Sequence, residues 1–220
     1  MNSPKVTVYI TNYNYGHYIE KAINSVLNQS YKDIEIFIID DGSTDNSIEV
    51  IEKFASFSNI KIIYQKNKGL IVTNNIALRL AQGEYIMRLD ADDYLDTNAI
   101  KLMVHELEND PSLGLVFPNY FIVDENENII NIRVRIPSEM NNVKDNPAHG
   151  ACTLIRTKYL RTIGGYDESF TCQDGYFLWI NFFSKFKTKN IETPLFYYRR
   201  HNNNLTNNSE LILKTRSKII

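Results

Sequence analysis

Cysteine is scarce in this chain: Cys152 and Cys172 are the only two. Their spacing matches neither a zinc cluster nor a disulfide framework, so both are expected to be reduced, structural thiols. Long apolar runs are missing too. No stretch approaches the roughly 20 residues needed to cross a bilayer, and the opening Met1-Asn2-Ser3-Pro4-Lys5 carries no signal-peptide pattern. A cytoplasmic protein is expected, with peripheral association at the inner face of the membrane left open. Nor is there an excess of one charge. Lys plus Arg number 24 against 26 Asp plus Glu, a formal charge of -2, which offers no basic face for nucleic acid. Three signatures are absent: G-x-G-x-x-G after the first strand, G-x-x-x-x-G-K-[ST] and G-x-S-x-G. Dinucleotide oxidoreductases, P-loop NTPases and α/β-hydrolases lose their support with them.

What is present is an alternation of two hydrophobic periods. Val6, Val8 and Ile10 alternate as in a strand, and Ile19, Ala22, Ile23, Val26 and Leu27 recur at helical spacing. Residues 34–39 are almost wholly apolar and β-branched, as in a strand covered on both faces. Thr44 or Asp45 is then placed to cap a helix carrying Ile48, Ile51 and Phe54. A strand over 60–64, a helix marked by Val72, Ile76, Ala77 and Leu80, a strand over 85–89 and a helix marked by Ile100, Met103, Val104 and Leu107 follow. This order predicts an α/β fold, a doubly wound and mostly parallel sheet with helices on both faces. Ligands in such sheets bind beyond the carboxyl ends of the strands.

The second half is less regular: strands over 113–123 and 129–136 forming a hairpin, a short helix over 157–163, a helix over 174–183 and a late strand over 195–200. Residues 1–205 are read as one domain, with a first half to 110 and a second from 111. Residues 206–220 read as a polar segment and the opening of a helix, as if cut from a longer protein, with further domains beyond.

Two acidic clusters sit at predicted strand ends. Asp90, Asp92 and Asp93 lie in one turn, where carboxylates repel one another unless a cation such as Mg²⁺ or Mn²⁺ neutralises them. A solvated loop preceding a helix is the plainer explanation. An EF-hand is excluded because its sixth position would be Leu95 and its twelfth Lys101. Asp40-Asp41-Gly42-Ser43 could accept hydrogen bonds from a nucleoside, or could simply make a turn. Asp174 among aromatics is either a desolvated base or a helix cap. Arg199-Arg200-His201 could face a diphosphate and supply a metal ligand, or be a solvated run. His149-Gly150 is a weaker candidate.

Taken in order, these segments resemble the family 2 glycosyltransferases of the GT-A fold. The resemblance is carried by residues 6–14, 25–30, 38–45, 67–70, 83–86 and 89–93, then by Gly164-Gly165-Tyr166-Asp167, Gln173-Asp174 and Tyr198-Arg199-Arg200-His201. It implies an inverting enzyme that moves a sugar from a nucleotide-diphosphate donor, a UDP-sugar favoured, to a hydroxyl of a glycan or glycoconjugate. It implies a nucleotide-sugar half over 1–110 and an acceptor-side half over 111–205. Thr11, Asn12, Tyr13, Asp40, Asp41, Gly69, Asp90 and Ala91 would line the nucleotide. Asp92, with Asp90 and His201, would hold Mn²⁺ or Mg²⁺ in a D-x-D motif. Asp174 would be the general base, and Arg200, His149 and Gly150 would lie toward the diphosphate and acceptor. Two positions depart from the family pattern: Gln173 where Glu is common, and Asn74 near an expected Arg. A non-catalytic nucleotide-sugar-binding domain and a sugar nucleotidyltransferase are the alternatives.

Overall fold

Val6–Asn12 forms strand β1, and every residue of it is buried. It lies between β2 (Ile34–Asp40) and β4 (Tyr85–Asp90), parallel to both, and β2 is flanked in turn by parallel β3 (Ile60–Tyr64). The structure, a computed structural model, describes residues 4–135, 149–170, 172, 174–202, 204 and 209–219, and of Asp174, Phe177, Ser209, Leu211 and Ile219 the main chain alone. Among the described residues the sheet has nine strands in the order β3-β2-β1-β4-β8-β6-β9-β5. The later strands are β5 (Tyr94–Leu95), β6 (Leu113–Val123), β7 (Ile129–Arg133), β8 (Leu154–Arg156) and β9 (Lys187–Arg199). Strand β8 runs antiparallel to both β4 and β6, β9 runs parallel to β6, and β7 pairs with β6 outside this row.

Alternation along β1 builds two cores, because successive side chains leave opposite faces of a strand. Val6, Val8 and Ile10 pack with Ile19 and Ile23 of α1 (Ile19–Leu27), Ile51 of α2 (Ser47–Glu52) and Met103 of α4 (Ala99–Asn109). Tyr9 on the other face joins Ile71 and Leu78 of α3 (Leu70–Leu80), Leu160 of α5 (Thr157–Thr162) and Trp179 and Phe182 of α6 (Asp174–Phe183). Helices therefore cover both faces, as the alternation predicts. A last helix, α7, spans Ser209–Ile219.

Three local expectations need correction. Helix α2 starts at Ser47, not after Thr44 or Asp45; Asp45 instead accepts from the Ser47 amide (3.0 Å) and, across the loop, from the Gly16 amide (2.9 Å). In α3 the buried residues are Ile71, Thr73, Asn74, Asn75, Ala77 and Leu78; Ala77 is interior as expected, Val72 and Ile76 are half-buried, and Leu80 is exposed. The helix is rotated because Asn75 earns its burial with bonds to the Tyr166 carbonyl (2.7 Å) and from the Tyr166 amide (2.9 Å), which satisfy a polar side chain in the interior. Strand β9 begins at Lys187, well before 195, since it pairs with β6 along nearly its whole length. Pro118, in mid-strand, is tolerated at a register shift toward Asn119.

At the amino ends of the strands, Glu84 accepts from Lys5 Nζ at 2.7 Å and Arg156 Nη1 at 3.1 Å. The Lys5 bond, more than offsetting desolvation, holds the Glu84 carboxyl below its usual range. A depressed carboxylate contributes stability above its unfolded pKa, and that contribution is lost as the pH falls through the folded value. Glu84→Gln is thus expected to cost at most about 1 kcal/mol at pH 7, since the side chain is half exposed. The difference in Tm from the parent, followed by circular dichroism, should close as the pH falls below about 4.

Candidate active site

Strand register brings the carboxyl ends of three strands together: Asn12 lies beside Asp40, and Thr11 beside Asp90. Asp40 is engaged by its own turn. Its Oδ1 accepts from the amides of Gly42 (3.1 Å) and Ser43 (2.9 Å), and its Oδ2 from Asn12 Nδ2 (2.7 Å) and Ser43 Oγ (2.6 Å). Gly42 has φ +83°, and a Cβ there would meet the Asn67 nitrogen at 2.8 Å, so the turn requires glycine. Asp41 reaches the other way, accepting from Gln65 Nε2 (2.7 Å) and from the amides of Lys68 and Gly69 (both 2.8 Å). Asp41 thereby ties the chain at Lys68 and Gly69 to the end of β2, and Tyr13, just after β1, is half exposed.

Each acid of the turn 90–93 has a different environment. Ala91 N–H donates to the Thr11 carbonyl (3.1 Å), so the turn continues the β1 pairing. Asp90 Oδ1 accepts from Thr11 Oγ1 (3.1 Å) and pairs with Arg88 Nε (3.0 Å), while its Oδ2 accepts from Arg88 Nη2 (3.3 Å). Asp92 Oδ2 lies 3.0 Å from His201 Nε2 and 3.3 Å from Asn204 Nδ2. The His201 amide donates in turn to Asn204 Oδ1 (2.6 Å), locking the two together. Asp93 faces inward, and its Oδ1 accepts from the Arg199 amide (2.8 Å). Burial pushes the Asp93 carboxyl well up, the charges of Asp92 and Asp90 push the same way, and Arg199 opposes them. Of the three residues expected to hold a metal, Asp92 and His201 meet, and Asp90 is held by Arg88 and Thr11.

The basic run splits in two. Arg199 is buried, donating to the carbonyls of Asp92 (2.9 Å) and Glu125 (3.2 Å) and to Glu127 Oε1 (3.2 Å), and it sits 4.7 Å from the Tyr18 ring. It braces the turn. Arg200 is exposed, its N–H donating to the Val123 carbonyl (2.8 Å). His149 is enclosed by the rings of Tyr198 (4.7 Å), Phe196 (5.3 Å) and Tyr120 (5.8 Å). Gly150 has a steric role: a Cβ on it would meet Arg88 Nη2 at 3.1 Å and the Gly175 Cα at 3.5 Å. A Cβ on Gly175 would in turn lie 3.4 Å from the Gly150 Cα, so the main chain at the start of α6, which Asp174 opens, passes close to Gly150. Gln173 and the Asp174 side chain lie outside the described residues.

The model of glycosyl transferase family 2 matches residues 7–164. This chain belongs to that family. The glucosyltransferase WfaP of Escherichia coli, named for transfer from UDP-Glc to alpha-D-GlcNAc-diphosphoundecaprenol, is 33% identical over 98% of this chain and 85% of its own. The chondroitin synthase of Escherichia coli is 40% identical over 58% of this chain, which spans 19% of that much longer relative. Among solved structures, S. aureus TarS in complex with UDP-GlcNAc superposes with a TM-score of 0.79 at 18% identity, covering 93% of this chain and 61% of that one. The mannosyltransferase PcManGT of Pyrobaculum calidifontis, in complex with GDP-Man and Mn²⁺, gives 0.71 at 19% identity over 92% of this chain and 59% of its own. These likenesses identify the GT-A fold, and the relatives that match the chain, WfaP along nearly its full length, are named as glycosyltransferases or polysaccharide synthases. The nucleotidyltransferase alternative falls away.

Three residues of this glycosyltransferase's site escaped the sequence reading. Arg88 sits within an apolar strand, and a charge at a strand position buried to 6% exposure was the available signal that it had a partner. Tyr15 packs edge-on to His201 at 5.5 Å, and burial followed by the charges of Asp92, Asp90 and Asp93 pushes its phenol up. Asn204 stood in an Asn-rich stretch with nothing to single it out. Among the described residues no three acidic, histidine or cysteine side chains form a ready cation cage, and no helix is long and apolar enough to cross a membrane.

Proposed function

We propose that this chain is an inverting glycosyltransferase that moves a sugar from a UDP-sugar to a hydroxyl of a saccharide carried on a lipid through a diphosphate. The observation that carries the reading is the Asp92–His201 pair at 3.0 Å, just beyond the carboxyl end of the parallel strand β4. UDP and the lipid-linked acceptor are supported by WfaP, which matches nearly the full chain.

The nucleoside would lie on the rim formed by Thr11, Asn12, Tyr13, Asp41 and Gly69, with Asp40 holding the turn beneath. A carboxylate and an imidazole at hydrogen-bond distance are donors of the kinds Mn²⁺ accepts. Two protein ligands leave places for substrate phosphate and water, as hard cations in phosphate-handling sites require. Asp92 and His201 would therefore hold the ion, which supplies Lewis-acid stabilisation of the departing diphosphate. Asp174 takes the proton from the acceptor hydroxyl. That oxygen then bonds to the anomeric carbon from the face opposite UDP, the bond to the diphosphate oxygen breaks with its electron pair, and configuration inverts. Arg200, His149 and Gly150 would border the diphosphate and acceptor side.

Thermal unfolding with UDP, GDP, dTDP, CMP and ADP, each with and without Mn²⁺, tests the donor site. At 100 times its dissociation constant a ligand adds about 2.7 kcal/mol, a rise in Tm of about 5–10 °C for a domain this size. UDP with Mn²⁺ is expected to give that rise, and Asp92→Asn to abolish it. No rise with any nucleotide would sink the donor assignment.

A further inference from the structure

Strand pairing does not hold His201. The residue lies beyond the last pair of β6 and β9, Val123 with Arg199, and turning its imidazole over would carry Nε2 away from Asp92. Its main chain is tied to Asn204, but its ring is held by two tyrosines. The ring of Tyr18 stacks on the imidazole, with centroids 5.4 Å apart and planes at 29°, and that of Tyr15 meets it edge-on at 5.5 Å. Tyr18 is itself fixed from several sides. It immediately precedes α1, and its N–H and that of Ile19 both donate to the Tyr15 carbonyl (2.9 and 3.0 Å). The His17 ring and the Arg199 guanidinium lie 3.8 and 4.7 Å from its ring. The loop before it is pressed against α2, since a Cβ on Gly16 would meet the Ser47 nitrogen at 2.8 Å. Arg199 also donates to the Asp92 carbonyl (2.9 Å). One guanidinium thus braces both the turn that carries Asp92 and the ring that faces His201.

We propose that Tyr18 is a positioning residue, whose ring keeps the His201 imidazole turned with Nε2 toward Asp92 Oδ2 so that both ligands are set before an ion arrives. Ring pairs at this separation attract beyond the area they bury, and an imidazole that binds a metal is oriented by the groups behind it. A ring that is free to turn must be ordered at the moment of binding, which weakens the ion's hold. The role needs the ring of Tyr18 and not its hydroxyl. It also explains why two segments from opposite ends of the chain meet here: the corner where β1 leads into α1 supplies the ring, and the residues after β9 supply the imidazole. The inference rests on the reading of Asp92 and His201 as the ion's ligands, and names what orders one of them.

Mn²⁺ is titrated into the full chain at a fixed UDP concentration, and the Mn²⁺ concentration at half of the rise in Tm is read. Tyr18→Leu and Tyr18→Met, which keep bulk and lose the ring, are expected to raise it about three- to tenfold, the loss of one aromatic pair. Tyr18→Phe keeps the ring and should match the parent. Metal-free Tm should stay within about 4 °C of the parent in all three variants, which separates lost orientation from lost folding. Nitrogen-15 spectra of the metal-free chain at about pH 9, above the usual histidine range, give a second readout. The chain has four histidines, and the His201 signals are assigned by their loss in His201→Gln. Its two nitrogen shifts should stand apart in the parent and in Tyr18→Phe, and draw together in Tyr18→Leu as the ring turns over. An unchanged Mn²⁺ requirement in both Leu and Met variants, an equal loss in Tyr18→Phe, or nitrogen shifts that Tyr18→Leu leaves in place overturns the assignment. If Mn²⁺ has no effect on the parent, the ion reading falls, and the spectra alone decide whether Tyr18 fixes the imidazole.

Discussion

Asp174→Asn is expected to leave UDP and Mn²⁺ binding intact and to lower sugar transfer by about 10²–10⁴-fold, the range over which a positioned base accelerates proton removal. Asn has nearly the same size and cannot take the acceptor proton, so the substitution isolates the chemical step. The main chain favours this position for the base. Asp174 opens α6, a helix anchored by fully buried Trp179 and Phe182, and the next residue, Gly175, has the Gly150 main chain close by, with room for no more than a methyl between them. The check pairs single-turnover transfer with the UDP-induced shift in Tm. Transfer at the parent rate would move the base elsewhere, and loss of the Tm shift would make Asp174 a donor-binding residue.

Arg199→Met should lower stability by about 3–5 kcal/mol, the usual result of breaking a buried, hydrogen-bonded charge network. For a domain of this size that is a fall in Tm of about 6–20 °C. The guanidinium ties the Asp92 and Glu125 carbonyls to Glu127, and Glu127 pairs with Lys21 of α1. Removing it strips donors from two carbonyls and leaves Glu127 with Lys21 alone. Arg200→Met is the control: the side chain is exposed and its fixed bond is made by the main chain, so Tm should move by less than about 2 °C. Scanning calorimetry on both variants decides it. A small effect at Arg199 would mean the turn is held by strand pairing alone.

Much of the first half was legible because its physics is local. Apolar runs such as 34–39 can only be strands buried on both faces, and Ile100, Met103, Val104 and Leu107 can only share one side of a helix. What spacing could not reveal were distances between remote segments. Asp92 and His201 are adjacent through strand β9 and the chain that follows it, and no period in the sequence links them. Arg199 and Arg200 look alike as neighbours in the chain, yet strand alternation sends one inward and the other out. In α3 the same holds for Asn75: it is polar, and only its bonds to Tyr166, far along the chain, make it an interior residue beside the expected Ala77.

The acid turn read as three negative charges. Arg88 compensates Asp90 within the fold, and burial together with its neighbours drives Asp93 toward its neutral form. Asp92, between them in sequence, shares its carboxylate with His201 and Asn204. Three neighbouring acids thus have three different partners, and a cation buried in an apolar strand, Arg88, is the counter-charge that lets the first of them sit at the strand end.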